Sequence, residues 1–190
     1  VAAALNTIGS EGILTSTADD PYGLYCYLCT TLEYPKDLSF VTFNLRDDVT
    51  FSDGTAMTAD DIAFSFNLFQ TQGIPEYRRI VEGFIDRVEV EGPHRISFYF
   101  NETASLRDRV GFAGGTPAFS KAWFEKTGAR LDKSTQQPFM STGAYVLDRF
   151  DFNSRIVYKR NPDYWGEGIP FNVGRNNFDR IRVEYFADSD

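Results

Sequence analysis

The stretch FVTFNLRDDVTFSDGTAMTADDIAFSF, residues 40–66, decides the fold. Val41, Phe43 and Leu45 alternate with Thr42, Asn44 and Arg46, the period of two that belongs to a half-buried strand. Asp47 and Asp48 turn the chain, Val49 and Phe51 resume the alternation, and Asp53 with Gly54 predicts a tight turn. Thr58, Ala59, Asp60 and Asp61 then form a capping box, in which Thr58 accepts from the backbone N–H three residues on. The two aspartates also suit the positive end of a helix dipole. Ile62, Phe66 and Phe69 recur at helical spacing, and Ala63 and Phe64 widen the stripe. An amphipathic helix of about three turns is predicted, ending before Gly73.

Outward from that unit the pattern alternates between strands and helices. Upstream, Gly9, Gly12, Asp19, Asp20 and Pro21 mark turns, a short helix is expected within residues 21–31, and Leu32 and Tyr34 alternate before Pro35. Downstream, Pro75 opens a second helix to about Gly83. Residues 86–91 and 95–101 read as paired strands joined by Gly92, Pro93 and His94. Short helices are expected over residues 104–109 and 120–127, around a glycine-rich loop at 111–116. Residues 131–140 read as irregular. A third hairpin pairs Tyr145 and Leu147 with Ile156 and Tyr158, turning near residues 152–154. Residues 161–165, NPDYW, form a turn whose Tyr164 and Trp165 pack, and Ile181, Val183 and Tyr185 mark a last strand. The class is α/β, in the mixed α+β sense, with hairpins and flanking helices.

Of the 190 residues, 42% are hydrophobic and 24% charged, the balance of a globular domain. The length suits one domain or little more. A net charge of −8 argues against nucleic acid as a partner, because phosphate recognition needs a basic face. No apolar run approaches the ~18–20 residues that cross a bilayer. Aromatics make up 16% of the chain, with Phe alone occurring 18 times. Most suit a β-rich core, and the rest could line a ligand cleft or an interface.

Catalytic signatures are missing from the sequence. No Gly-x-Ser-x-Gly, Walker loop or His-Glu-x-x-His occurs. His94, the single histidine, falls in a hairpin turn, which argues against a Ser-His-Asp triad. The acidic pairs Asp47-Asp48 and Asp60-Asp61 are accounted for as turn and cap. A hydrolase with two carboxyls facing across a cleft stays a weaker alternative, since spacing alone does not reveal such a pair. Cys26 and Cys29 lack the second pair of ligands a zinc site needs. Two structural thiols, a disulfide, and redox or metal chemistry all remain open for them. The expectation is a non-enzymatic protein with no metal and no cofactor.

Three stretches together carry a family resemblance. Residues 40–66 resemble the signature of family 5 extracellular solute-binding proteins, the oligopeptide, dipeptide and nickel binders of ABC importers. Phe-x-Leu-Arg, an aromatic, Asp-Gly-Thr, a hydrophobic residue and Thr-Ala-Asp-Asp occur there in order. Further on, TGAYVL at 142–147 is similar to a Thr-Gly-Pro-Tyr strand, and IVYKRNPDYW at 156–165 to an Arg-Asn-Pro-x-Tyr-Trp segment. NVGRNNFDRI at 172–181 and EYP at 33–35 resemble the YejA-like branch. Ala144 stands where proline is usual, and the cysteine pair has no counterpart in the pattern. The resemblance covers most of residues 20–190.

The resemblance implies the periplasmic binding protein-like II fold: two α/β lobes, joined by a hinge, that close over a ligand. Only an incomplete first lobe is expected within this chain. Residues 1–85 would be its accessory subdomain and 86–190 its core, with the second lobe following Asp190. It further implies a periplasmic protein, a monomer when complete, that binds peptides or peptide-like solutes and delivers them to ABC permease subunits in the inner membrane. A free-standing peptide- or carbohydrate-binding module is the alternative.

Candidate ligand contacts fall into three groups. Gly111 and Gly114 would let a ligand approach the backbone beside Phe112. Ser141, Thr142 and Gly143, ahead of a core strand, offer hydroxyls and N–H groups. Tyr77, Arg78 and Arg79 open the second helix, where an aromatic could line the cleft and an arginine could clamp a carboxylate. Each group also has an ordinary structural reading, as loop glycines, a strand-start turn and exposed helix charges.

Overall fold

The structure, a computed structural model, describes residues 11–17, 19–20, 22–133, 140–151 and 154–185. Strands β1 (Leu14–Thr15) and β2 (Tyr25–Cys26) form a small ladder. Next come β3 (Cys29–Glu33) and β4 (Phe40–Leu45), then helices α1 (Ala59–Gln72) and α2 (Pro75–Phe84). The hairpin β5 (Ile85–Gly92) and β6 (Arg95–Phe100) precedes helices α3 (Arg109–Gly114) and α4 (Lys121–Thr127). Strands β7 (Tyr145–Asp151), β8 (Arg155–Arg160) and β9 (Arg180–Glu184) follow, with a 3-10 turn at Pro170–Asn172.

The main sheet runs in the order β3-β4-β6-β5, and every ladder among the described residues is antiparallel. The alternation of residues 41–45 now has a partner: Val41 lies opposite Phe98 and Phe43 opposite Ile96, all four buried. Burying such a side chain contributes about 1.5–3 kcal/mol. The reverse face is polar but paired. Thr42 and Ser97 join hydroxyls at 2.6 Å, Ser97 donates to Glu91, and Arg95 donates to Asn44 and Glu33. This sheet draws strands from both sides of the expected division between residues 85 and 86.

Helix α1 lays Ile62 and Phe66 on the sheet, with the Phe66 and Phe98 rings 5.8 Å apart edge to face. Its start is held by Asp61, whose Oδ2 accepts from the Thr58 backbone N–H at 2.9 Å. Asp61 Oδ1 reaches further and accepts from the backbone N–H of Lys121, the first residue of α4. Ser65 Oγ, in the next turn, accepts from the Phe119 N–H. One helix turn therefore docks α4, whose Phe124 packs with Phe119 and Leu68. A three-stranded sheet, β7-β8-β9, carries a separate cluster of Ala144, Tyr145, Ile156, Tyr158 and Tyr164.

Four local expectations are corrected. Residues 21–31 hold no helix among those described; they form β2 and the start of β3, because Cys26 and Cys29 are joined by a disulfide that closes a four-residue loop between strands. Residues 111–114 are helical rather than a loop, since α3 is anchored at Arg109 and bonds the Phe112 N–H to Asp108 O. Residues 102–108 are turns, so the helix starts later than its composition suggested. Val49 and Phe51 are buried but make no strand, because the chain reverses at Gly54 (φ 85°) and bonds Phe51 N–H to Thr55 O. The irregular segment expected at 131–140 and the turn at 152–154 lie partly outside the described residues.

Candidate functional site

Helices α2 and α3 build an aromatic face. Pro75 opens α2 at a position where its missing N–H costs nothing, and that places Tyr77 in the first turn. The Tyr77 ring lies 5.6 Å from Phe69 and 6.4 Å from Phe112, and Phe112 stacks on Phe84 at 4.5 Å. Partial burial pushes the Tyr77 phenol up from its ordinary value. Leu24 adjoins this row: a Cβ on Gly111 would lie 3.4 Å from its Cδ1. Tyr77 and Leu24 are 38% and 49% exposed, so a row of rings with an aliphatic edge faces solvent.

The structure brings Tyr77, Gly111 and Phe112 together and sends Arg78 elsewhere. Arg78 Nε donates to Gln70 O at 3.0 Å, closing the corner between α1 and α2. Gly114 is a packing position, because its missing side chain leaves room for Leu14, whose Cγ would lie 2.5 Å from an added Cβ.

Residues 11–14 run along the end of α3. Ile13 N–H donates to Thr116 O, and a Cβ on Gly12 would lie 3.1 Å from Gly114 O. Ahead of them, Glu11 enters a buried polar chain. Its Oε1 lies 2.5 Å from Tyr164 Oη, which lies 2.6 Å from Tyr27 Oη, which lies 3.0 Å from Asn172 Oδ1. Asn172 Nδ2 donates to Gly166 O at 2.7 Å, and Trp165 Nε1 donates to Thr142 O at 2.8 Å. Burial pushes the Glu11 carboxyl up to about 7, against the opposing pull of the Tyr164 hydroxyl first and then of Tyr27, Thr142 and Trp165. Burial likewise drives the Tyr164 phenol far up, and the Glu11 charge adds to it.

Ser141, Thr142 and Gly143 border this chain. All three are buried, Ser141 O accepts from the Ser52 N–H at 2.9 Å, and Thr142 faces Glu11. Gly114 thus meets Leu14 and Gly12, Thr142 meets Glu11 at the other end of the same segment, and Gly111 faces Leu24 instead. Sequence reasoning missed Glu11, Leu24, Tyr27 and Asn172. Tyr164 packs as its place in the NPDYW turn predicts, and it also bonds. No spacing signal joins residues 11, 27, 164 and 172.

Comparison with known proteins gives a consistent result. The family model for bacterial extracellular solute-binding proteins, family 5 Middle, matches residues 24–190. A protein of Agrobacterium fabrum named peptidoglycan-binding protein YepA is 32% identical over 176 residues, 93% of this chain and 28% of that protein. The same organism's YejA, named a probable peptide-binding protein, is 31% identical over 95% of this chain and 30% of its own length. The chain therefore spans under a third of these relatives. Among solved structures, Helicobacter pylori DppA in complex with peptide STSA matches at TM-score 0.76 and 18% identity, over 98% of this chain and 39% of that one. Brucella suis NikA in complex with Fe(III)-EDTA matches at TM-score 0.73 and 21% identity, over 98% and 35%. Likeness at these identities establishes a shared fold, that of the periplasmic binding proteins.

Proposed function

The chain belongs to family 5 of the bacterial extracellular solute-binding proteins, and on that premise we propose that it is part of the binding component of an ABC importer for peptide-like solutes. It holds the solute in the periplasm, breaks no bond in it, and delivers it to permease subunits in the inner membrane. Among the described residues no helix is long and apolar enough to cross a membrane. Oligopeptides and peptides derived from peptidoglycan are the solute classes to try first, given the names carried by the two Agrobacterium relatives.

One observation carries the reading: Tyr77, Phe112 and Leu24 form an open apolar face that includes Gly111, so that two of the three groups of candidate contacts meet there. Flat rings accept varied side chains by area. Arg78 is better assigned to the α1–α2 corner than to a ligand carboxylate. The division of the chain at residues 85 and 86 into accessory and core parts remains part of this proposal, as does monomeric behaviour of the complete protein.

Calorimetric titration of the full-length natural protein with an oligopeptide pool, and with stem peptides of peptidoglycan, tests the proposal. Binding at micromolar affinity or tighter is expected, weakened about 5- to 10-fold by Tyr77→Ala, the loss of one aromatic contact of roughly 1–1.4 kcal/mol. Absence of binding to every peptide and conjugate would refute it. Micromolar binding by the 190-residue chain alone would favour the self-contained module. Solute turnover abolished by replacing one carboxylate would favour the hydrolase.

A further inference from the structure

The polar chain around Glu11 contains three oxygen-to-oxygen contacts of 3.0 Å or less: Glu11 to Tyr164, Tyr164 to Tyr27, and Tyr27 to Asn172. Each needs one proton. The two phenols supply one each. Asn172 cannot supply the third, because its Nδ2 donates to Gly166 O at 2.7 Å and to Tyr164 Oη at 3.4 Å, and only Oδ1 faces Tyr27. The remaining member is Glu11. As a carboxylate it only accepts, and one of the three contacts would then set two lone pairs against each other. As a neutral acid it completes the count. Its other oxygen, Oε2, makes no hydrogen bond among the described residues, nor does the Thr142 hydroxyl that borders the carboxyl, and a buried oxygen left so is far less costly for a neutral acid than for an ionised one.

We propose that Glu11 is held as the neutral acid and starts a directed relay, Glu11 to Tyr164 to Tyr27 to Asn172, whose last bond breaks when Glu11 loses its proton to solvent. On ionisation Tyr164 turns its hydrogen toward Glu11, and Tyr27 turns its own toward Tyr164. Asn172 Oδ1 is then left facing a bare oxygen. The consequence is mechanical. Glu11 leads into β1, Tyr27 sits in the loop closed by the Cys26–Cys29 disulfide, and Asn172 ends the 3-10 turn between β8 and β9. The relay joins parts of the fold that are far apart in sequence, and one proton decides whether the Tyr27–Asn172 bond between them is made, while Asn172 Nδ2 keeps its bonds to Gly166 O and Tyr164 Oη.

The groups facing Glu11 leave it as the member that titrates near neutrality. Tyr164 and Tyr27 are both pushed up from ordinary phenol values, by burial first. Thr142 and Trp165 border the carboxyl, and the Arg46 guanidinium lies over the Trp165 ring at 5.5 Å. The proposal concerns the free protein and does not depend on which solute is bound.

Carbon-13 NMR of the Glu11 carboxyl over pH 4–9 is the direct test, with the side-chain amide of Asn172 followed in the same samples. In the unaltered protein the Glu11 midpoint is expected near 7, and the Asn172 amide should move with the same midpoint. A midpoint near the ordinary 4.5, or an Asn172 amide indifferent to Glu11, overturns the relay. Tyr27→Phe separates the relay from simple burial. Without Tyr27 the Tyr164 hydrogen has nowhere to go but Glu11, which favours the carboxylate. The midpoint should fall by about one pH unit, a tenfold loss of proton affinity. Burial alone predicts an unchanged or higher midpoint, since the variant makes the site more apolar, and that result refutes the proposal.

Discussion

Replacing Arg109 with methionine should destabilise the fold by about 3 kcal/mol. Arg109 is buried, and its guanidinium donates to four backbone carbonyls: Leu38 O at 2.9 Å, Asn101 O at 2.8 Å, Glu102 O at 3.1 Å and Ala104 O at 3.2 Å. It also lies 5.7 Å over the Phe100 ring. These carbonyls belong to two tight turns, 35–38 and 101–104, and Leu38 sits at a φ of 50°, a left-handed conformation that needs outside support. Bonds of this charged kind contribute roughly 1.5–3 kcal/mol each. Their sum is offset by the cost of burying the guanidinium, several kcal/mol, which methionine does not incur. The carbonyls nearest the surface can also rewet, leaving a net loss of about 3 kcal/mol. Methionine matches the stem in length and offers no donor, so packing changes little. Urea denaturation of both proteins at pH 7 measures the difference. Arg109→Lys, with a compact ammonium that cannot span four carbonyls, should recover only part of it. A loss below about 1 kcal/mol for methionine would mean that the carbonyls find water without penalty, and the anchoring of α3 argued above would be wrong.

Two further outcomes follow from packing and charge. Glu11 has a folded-state value of about 7 against 4.5 for an ordinary carboxyl. Below the lower value both states hold the proton, and between the two only the folded state does. Stability should therefore fall by about 3 kcal/mol as pH rises from 4.5 to 7, then level off. Glu11→Gln should lose that slope, and a pH-independent difference between the two proteins in urea titrations would exclude it. Gly114→Ala brings a Cβ to 2.9 Å from Leu14 Cβ and should cost about 1–3 kcal/mol, while Gly111→Ala, 3.4 Å from a flexible Leu24 methyl, should melt at or above the unaltered protein.

Much of the fold is legible because its signals are local. Strand β4, the Gly54 turn, the Thr58 and Asp61 cap and helix α1 each declare themselves within a few residues. The same holds for the β5–β6 and β7–β8 hairpins. Local reasoning failed where tertiary anchors decide. Glycines at 111 and 114 argue against a helix, yet Arg109 fixes the chain there and the backbone coils behind it. Residues 21–31 have no strong period of their own, and their strands exist because β3 pairs with β4 and a disulfide draws β2 beside it.

The site was legible only in part, for a related reason. Tyr77, Gly111 and Phe112 can be picked out because exposed aromatics and small residues stand out as types, and they do meet on one face. Glu11 cannot, because one glutamate among 27 acidic residues carries no local mark. Asp61 shows the difference within a single side chain. One oxygen caps its own helix and is readable from three residues away, while the other holds the Lys121 N–H, 60 positions on. Polar atoms that join distant segments are invisible to spacing, and they are the atoms that fix how a β-sheet unit and a helical unit sit together. The Glu11 relay is of this kind, so the feature most able to respond to solution conditions is the one that spacing in the sequence does not reveal.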